Sequence, residues 1–160
     1  RTLAQEPVIR AATLDDLDVL AELERNSFRG DVLSRRQFRY LLTRGNALTL
    51  VETRRGRLRG YVLLVFRSTS TIARIYTIAV AASDRRRGVG AALLAAAEKA
   101  ARGRGSDRVR AEVRTDNRAS LALFERHGYR RFGGYRGYYA DGCDAARVER
   151  HIAGTRSESV

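Results

Sequence analysis

The chain is short of several things that would point it elsewhere. Its only cysteine is Cys143, which excludes an internal disulfide and fits a reducing compartment, so a cytoplasmic location is expected. One thiol and two histidines give no metal-ligand spacing, and no metal is expected. Lys99 is the only lysine, so a Gly-Lys-Ser/Thr phosphate loop is excluded. No apolar run approaches the about 18 residues of a membrane helix, and no membrane partner is expected. The longest candidate, residues 61–66, has the length of a buried strand. The N-terminus lacks the layout of a secretory signal. It does not begin with methionine, so residues before Arg1 are expected.

What is present suits one globular domain of 160 residues, 44% hydrophobic and 31% charged. Residues 1–153 are expected to form the domain and residues 154–160 a frayed tail. The net charge is +13, and all but one of the 31 basic residues are arginine. That skew looks like codon bias in a GC-rich genome. The arginines are scattered with no basic tail, so no specific nucleic-acid partner is expected. Polyanions should still be attracted in a salt-dependent way. Nothing in the sequence fixes an oligomeric state.

Periodicity gives the element order. Residues 8–12 read as a strand. Thr13 and Asp16 are spaced as a capping box, and Leu14, Leu17, Leu20 and Ala21 follow at helical spacing to about Ser27. A second helix starts at Ser34 and carries Phe38, Leu41 and Leu42. Strands over residues 47–52 and 58–66 flank the turn Arg54-Arg55-Gly56-Arg57. A strand over residues 71–80 places Tyr76, Ile78 and Val80 on one face and Ile75, Thr77 and Ala79 on the other. An alanine-rich helix runs from Val89 to about Arg102, with an apolar stripe of Val89, Leu93, Ala96, Ala97 and Ala100. A strand over residues 108–114, a helix capped by Asn117 and closed near Gly128, and strands near 129–132 and 145–152 complete the chain. The order is βααβββαβαββ: an α/β sandwich around one mixed sheet.

The informative segment joins strand to helix. Ile78-Ala79-Val80 leads through a basic turn to Gly88-Val89-Gly90-Ala91. Unpaired N–H groups and the positive end of the helix dipole make such a start an anion site. Glycines admit a phosphate close to the backbone, and Arg85, Arg86 and Arg87 add charge-assisted contacts. The expected ligand is a phosphate or pyrophosphate. A Rossmann fingerprint fails, because Leu93 stands where Gly or Ala is needed.

The spacing Arg85-x-x-Gly88-x-Gly90 resembles the acetyl-CoA loop of the GCN5-related N-acetyltransferase (GNAT) family. Downstream, Glu112 to Asn117 and the helix ending in Phe124-Glu125-Arg126-His127-Gly128-Tyr129 look like the family's second signature. Residues 138–145, from Tyr138-Tyr139 onward, resemble the C-terminal segment of ribosomal-protein N-terminal alanine acetyltransferases. The resemblance spans about residues 8–152 and implies an enzyme that takes acetyl-CoA as cosubstrate and acetylates a primary amine. A protein or peptide N-terminal α-amine is the leading acceptor. The rivals are a small amine such as a polyamine or antibiotic, and a non-catalytic acyl-CoA-binding regulatory or nucleic-acid-binding domain.

The same resemblance implies roles. Ile78, Ala79 and Val80 would hold the pantetheine arm, with the Val80 N–H polarising the thioester carbonyl. Arg85 to Ala91, Val89 included, would cradle the pyrophosphate, and Asn117 would meet the pantetheine. Glu112 falls at the position of the general base, and it is equally placed for a strand-end ion pair with Arg110 or Arg114. Phe124 occupies the cofactor-side position where the alanine acetyltransferases carry a proton-donating tyrosine. Either Tyr76, Tyr138 or Tyr139 substitutes, with Tyr138 taken as the catalytic candidate, or water protonates the thiolate. Tyr138 and Tyr139 are also placed to shape the acceptor site.

Overall fold

The computed structural model describes residues 6–28 and 30–152, so the tail over residues 154–160 lies outside the described residues. The expected order holds: β1 (Val8–Ala11), α1 (Leu17–Ser27), α2 (Arg35–Leu42), β2 (Ala47–Arg54), β3 (Arg57–Val65), β4 (Ile72–Val80), α3 (Val89–Gly103), β5 (Arg108–Arg114), α4 (Arg118–Arg126), β6 (Arg130–Tyr135) and β7 (Ala145–His151). The helices begin where the caps place them. Asp16 accepts the Thr13 N–H at 2.8 Å, and a 3-10 turn, Leu14–Asp16, leads into α1. Ser34 and Gln37 exchange bonds of 3.1 and 2.8 Å ahead of α2. Arg55 and Gly56 take φ of 53° and 75° between β2 and β3, as a two-residue primed hairpin turn requires.

The seven strands form one sheet in the order β1-β2-β3-β4-β5-β7-β6. Every pairing is antiparallel except β4 with β5. Two apolar layers sandwich the sheet. Leu17, Leu20 and Ala21 of α1 and Phe38 of α2 cover Val51, Tyr61 and Leu63. On the other face, Val89, Leu93, Leu94, Ala97 and Ala101 of α3 pack with Val62, Ile75 and Ile78. The buried stripe of α3 is turned slightly from the expected one, with Ala96 and Ala100 half-buried at its margin.

Two irregularities open the sheet at its centre. The parallel register of β4 with β5 ends at Ile75 opposite Ala111, and the strands then diverge. In the β3–β4 pairing Leu63 faces Thr77 and Leu64 faces Ile75, so Tyr76 is the extra residue of a β-bulge. The bulge corrects the simple alternation read from sequence. Tyr76 is 48% exposed, and Ile75 points into the same α3 layer as Ile78.

Candidate active site

Beyond the bulge, the backbone polar groups of β4 alternate between β3 and the gap. Ala81 donates to Arg59 O at 2.8 Å, toward β3. Alternation therefore turns the N–H and C=O of Ile78 and Val80 toward the opening from which β5 has departed. The Val80 carbonyl accepts from Arg85 Nε at 3.4 Å, so the arginine of the turn already reaches this edge, where a ligand would lie between the splayed strands.

A groove of about 920 Å³ continues from this opening to the start of α3, bordered by Ile78, Ala79, Val80, Arg85, Arg86, Gly88, Val89, Gly90 and Ala91. Arg87 is exposed and does not border it. No side chain caps α3, whose N-cap Gly88 has φ 80°. A Cβ on Gly88 would meet nothing within 4 Å, so the space before the helix N–H groups is open. Gly90 serves packing instead: a Cβ there would stand 3.0 Å from Leu123 Cδ2 of α4. Asp84, 2% exposed under the turn, is held by Arg57 at 2.7 Å. That bond, opposed by desolvation, keeps its carboxyl below the usual carboxylate range. A doubly negative pyrophosphate fits this open helix start flanked by Arg85 and Arg86.

A second cleft, about 330 Å³, adjoins the groove. Phe28, Ile78, Arg114, Asn117 and Ser120 border both. Asn117 caps α4 by accepting the Ser120 N–H at 3.1 Å, which leaves its amide N–H groups for the junction. Glu112 lines the second cleft with only 8% of its side chain exposed. It is paired with Arg74 of β4 and lies 4.0 Å from Arg147 Nε of β7. The ion-pair partners suggested by adjacency are engaged elsewhere: Arg110 with Glu149 at 3.3 Å, and Arg114 with Asp116 at 3.0 Å and Asp141 at 2.7 Å.

Three tyrosines line this cleft. Tyr138 is 45% exposed and accepts a bond from Arg74 at 3.2 Å, so Arg74 joins it to Glu112. The Tyr139 hydroxyl is pushed up to about 12, chiefly by burial, and keeps its proton at neutral pH. Tyr76 lines the cleft from the bulge. Phe124 also reaches it, but is 1% exposed with its ring edge-on to Tyr129 at 5.0 Å.

Sequence reasoning missed Glu24. Its carboxylate, 3% exposed, lines the cleft and accepts from Leu33 N and Thr77 Oγ1, each at 2.9 Å, and from the Tyr61 hydroxyl. The signal was present. Glu24 falls seven residues after Leu17, on the apolar stripe of α1, where a carboxylate needs a reason. Arg74 carried no comparable signal.

The acetyltransferase (GNAT) family profile matches residues 17–129. No curated protein matches the chain in sequence. Among solved structures, the ribosomal-protein-S18-alanine N-acetyltransferase of Escherichia coli is 25% identical, with TM-score 0.82 over 97% of this chain and 99% of its own. Ard1 from Thermoplasma volcanium is 26% identical, with TM-score 0.83 over 91% of this chain and 97% of its own. PaiA N-acetyltransferase from Thermoplasma acidophilum, crystallised with coenzyme A, is 18% identical and shows the same fold, with TM-score 0.78 over 91% and 99%. The chain belongs to the GNAT family, acyltransferases that take acetyl-CoA as cosubstrate.

Proposed function

We propose that the chain acetylates the N-terminal α-amine of a polypeptide, in a cytoplasmic setting consistent with its single thiol. The observation that carries the reading is Glu112, a carboxylate in the small cleft that meets the cofactor groove at Ile78 and Asn117. The likeness to an alanine N-acetyltransferase acting on a ribosomal protein supports it.

In this reading the α3 N-terminus with Arg85 and Arg86 binds the pyrophosphate of acetyl-CoA. Ile78 and Val80 bind the pantetheine through the backbone groups they turn toward the gap, and Asn117 contacts it at the junction. The acetyl carbon then faces the second cleft. The acceptor must arrive as a neutral amine, and an α-amine with pKa near 8 is about one-tenth neutral at pH 7, against fewer than about one in a thousand for a lysine. Glu112 takes the amine's proton, directly or through water, while Arg74 and Arg147 hold the carboxylate in place. The Val80 N–H stabilises negative charge developing on the thioester oxygen. Phe124 has no proton to give, so Tyr138 or water returns one to the departing sulfur.

The test is an acetylation screen with peptides bearing free N-termini, N-blocked lysine peptides and polyamines, read by mass spectrometry. Modification at α-amines is the expected result. Acetylation confined to lysine side chains or polyamines would overturn the acceptor assignment.

A further inference from the structure

Beyond Glu112, which lines the cleft, neither groove nor cleft accounts for the face of β5, β7 and β6 turned away from α3. Val109, Ala111, Val113 and Val148 point into the α3 layer. Strand alternation therefore puts Arg108, Arg110 and Glu112 of β5, with Arg147 and Glu149 of β7, on the opposite face. The apolar layer under α1 and α2 draws on β2, β3 and β4 only. Among the described residues, no helix covers this part of the sheet.

Edge strand β6 adds Phe132 and Tyr135, 38% and 41% exposed. The guanidinium groups of Arg110 and Arg147 lie 4.6 and 4.7 Å from the Phe132 ring centre. Arg147 is also 4.8 Å from Tyr135, which stacks at 5.2 Å on Tyr138 of the acceptor cleft. An unbroken ladder of arginine and aromatic rings thus leads from the open face into the cleft.

The charges on this ladder do not balance. Arg108 and Arg110 share Glu149, at 3.5 and 3.3 Å. Arg74 and Arg147 share Glu112. Each carboxylate faces two guanidinium groups, and the buried Nε atoms of Arg74 and Arg147 have no hydrogen-bond acceptor.

We infer that this face binds the stretch of acceptor polypeptide that follows the acetylated amine, and that it favours acidic residues there. The inference rests on the N-terminal reading above. Same-face residues on a strand recur every about 7 Å, which puts Arg110 about 7 Å and Arg108 about 13 Å beyond Glu112. An extended acceptor advancing about 3.3 Å per residue would bring its third to fifth residues over these arginines. Carboxylates at those positions would meet the unbalanced charge. Single-stranded nucleic acid is a poorer fit. The Phe132 and Tyr135 rings are already engaged by Arg110, Arg147 and Tyr138, so bases lack an open stacking platform.

The experiment uses three peptides with the same first two residues and Glu, Gln or Arg at residues three to five. Steady-state rates are compared for the wild type and for Arg108→Gln/Arg110→Gln, with circular dichroism to confirm the fold and Arg110→Gln alone as the milder variant. The wild type should favour the Glu over the Arg peptide by roughly tenfold in kcat/KM at low salt, mostly through KM, and less as salt rises. The substituted protein should lose most of that preference. Equal rates on all three peptides would overturn the inference while leaving N-terminal acetylation standing. No acetylation of any peptide would overturn both. A mixed-sequence single-stranded RNA is the competing ligand. Binding of that RNA lost in the double variant, with peptides undiscriminated, would assign the face to nucleic acid and overturn the inference.

Discussion

Glu24 shows how much a single buried carboxylate can organise. It ties α1 to the following loop through Leu33 N and to the sheet through Thr77 and Tyr61, so it sets the wall of the acceptor cleft. Glu24→Ala would strand the Leu33 N–H and leave the Tyr61 and Thr77 hydroxyls only their mutual 3.3 Å bond, and each buried polar group left unpaired costs about 1–3 kcal/mol. A fall of several degrees in Tm is expected, with acceptor KM raised more than acetyl-CoA KM; Glu24→Gln should recover part of the stability. Unchanged Tm and KM in Glu24→Ala would contradict this role. The difference between legible and hidden residues is one of sequence range. Glu112 and Asn117 stand out because both lie in the short segment that resembles the family's second signature. Arg74 acts on Tyr138, 64 residues away, and Glu24 on Thr77, 53 away. Only the folded sheet brings those pairs together.

Among the elements, order and caps were legible because they depend on local periodicity and on short-range hydrogen bonds. The bulge at Tyr76 was not, because an extra residue in one strand is defined only by the register of its partner. The α3 start carries two predictions. Gly88→Asp should weaken acetyl-CoA binding by titration calorimetry, by placing a carboxylate in the open space where phosphate would sit and by straining a φ of 80°. Undiminished affinity in a folded variant would remove the groove from the cofactor. The second concerns Asp84. Its carboxyl is lowered by Arg57, so the stability it contributes is present above the unfolded pKa near 4 and is lost as pH falls through the lower folded value. Tm should therefore drop less steeply on acidification below pH 4 in Asp84→Asn than in the wild type. Parallel acid profiles would show that the pair contributes nothing.

For the whole molecule, the fold was readable because strand–turn–helix motifs and their order are local. The acceptor was not, because the cleft is assembled from α1, β4, β5 and the loop around Tyr138. The net charge of +13 is a property of the whole surface. Binding to mixed DNA and RNA should weaken steeply between low and physiological salt. A complex with one sequence that persists at high salt would show a dedicated nucleic-acid role. Site and fold meet in the proposal that Glu112, in the cleft that adjoins the cofactor groove, removes a proton from an α-amine. The pH–rate profile of Glu112→Gln with a peptide acceptor tests it most directly. The variant should lose roughly 10²–10⁴-fold in kcat at pH 7, and recover much of that loss as pH rises and the amine deprotonates unaided. A profile and rate matching the wild type would leave Glu112 as an ion-pair partner of Arg74 and contradict the account.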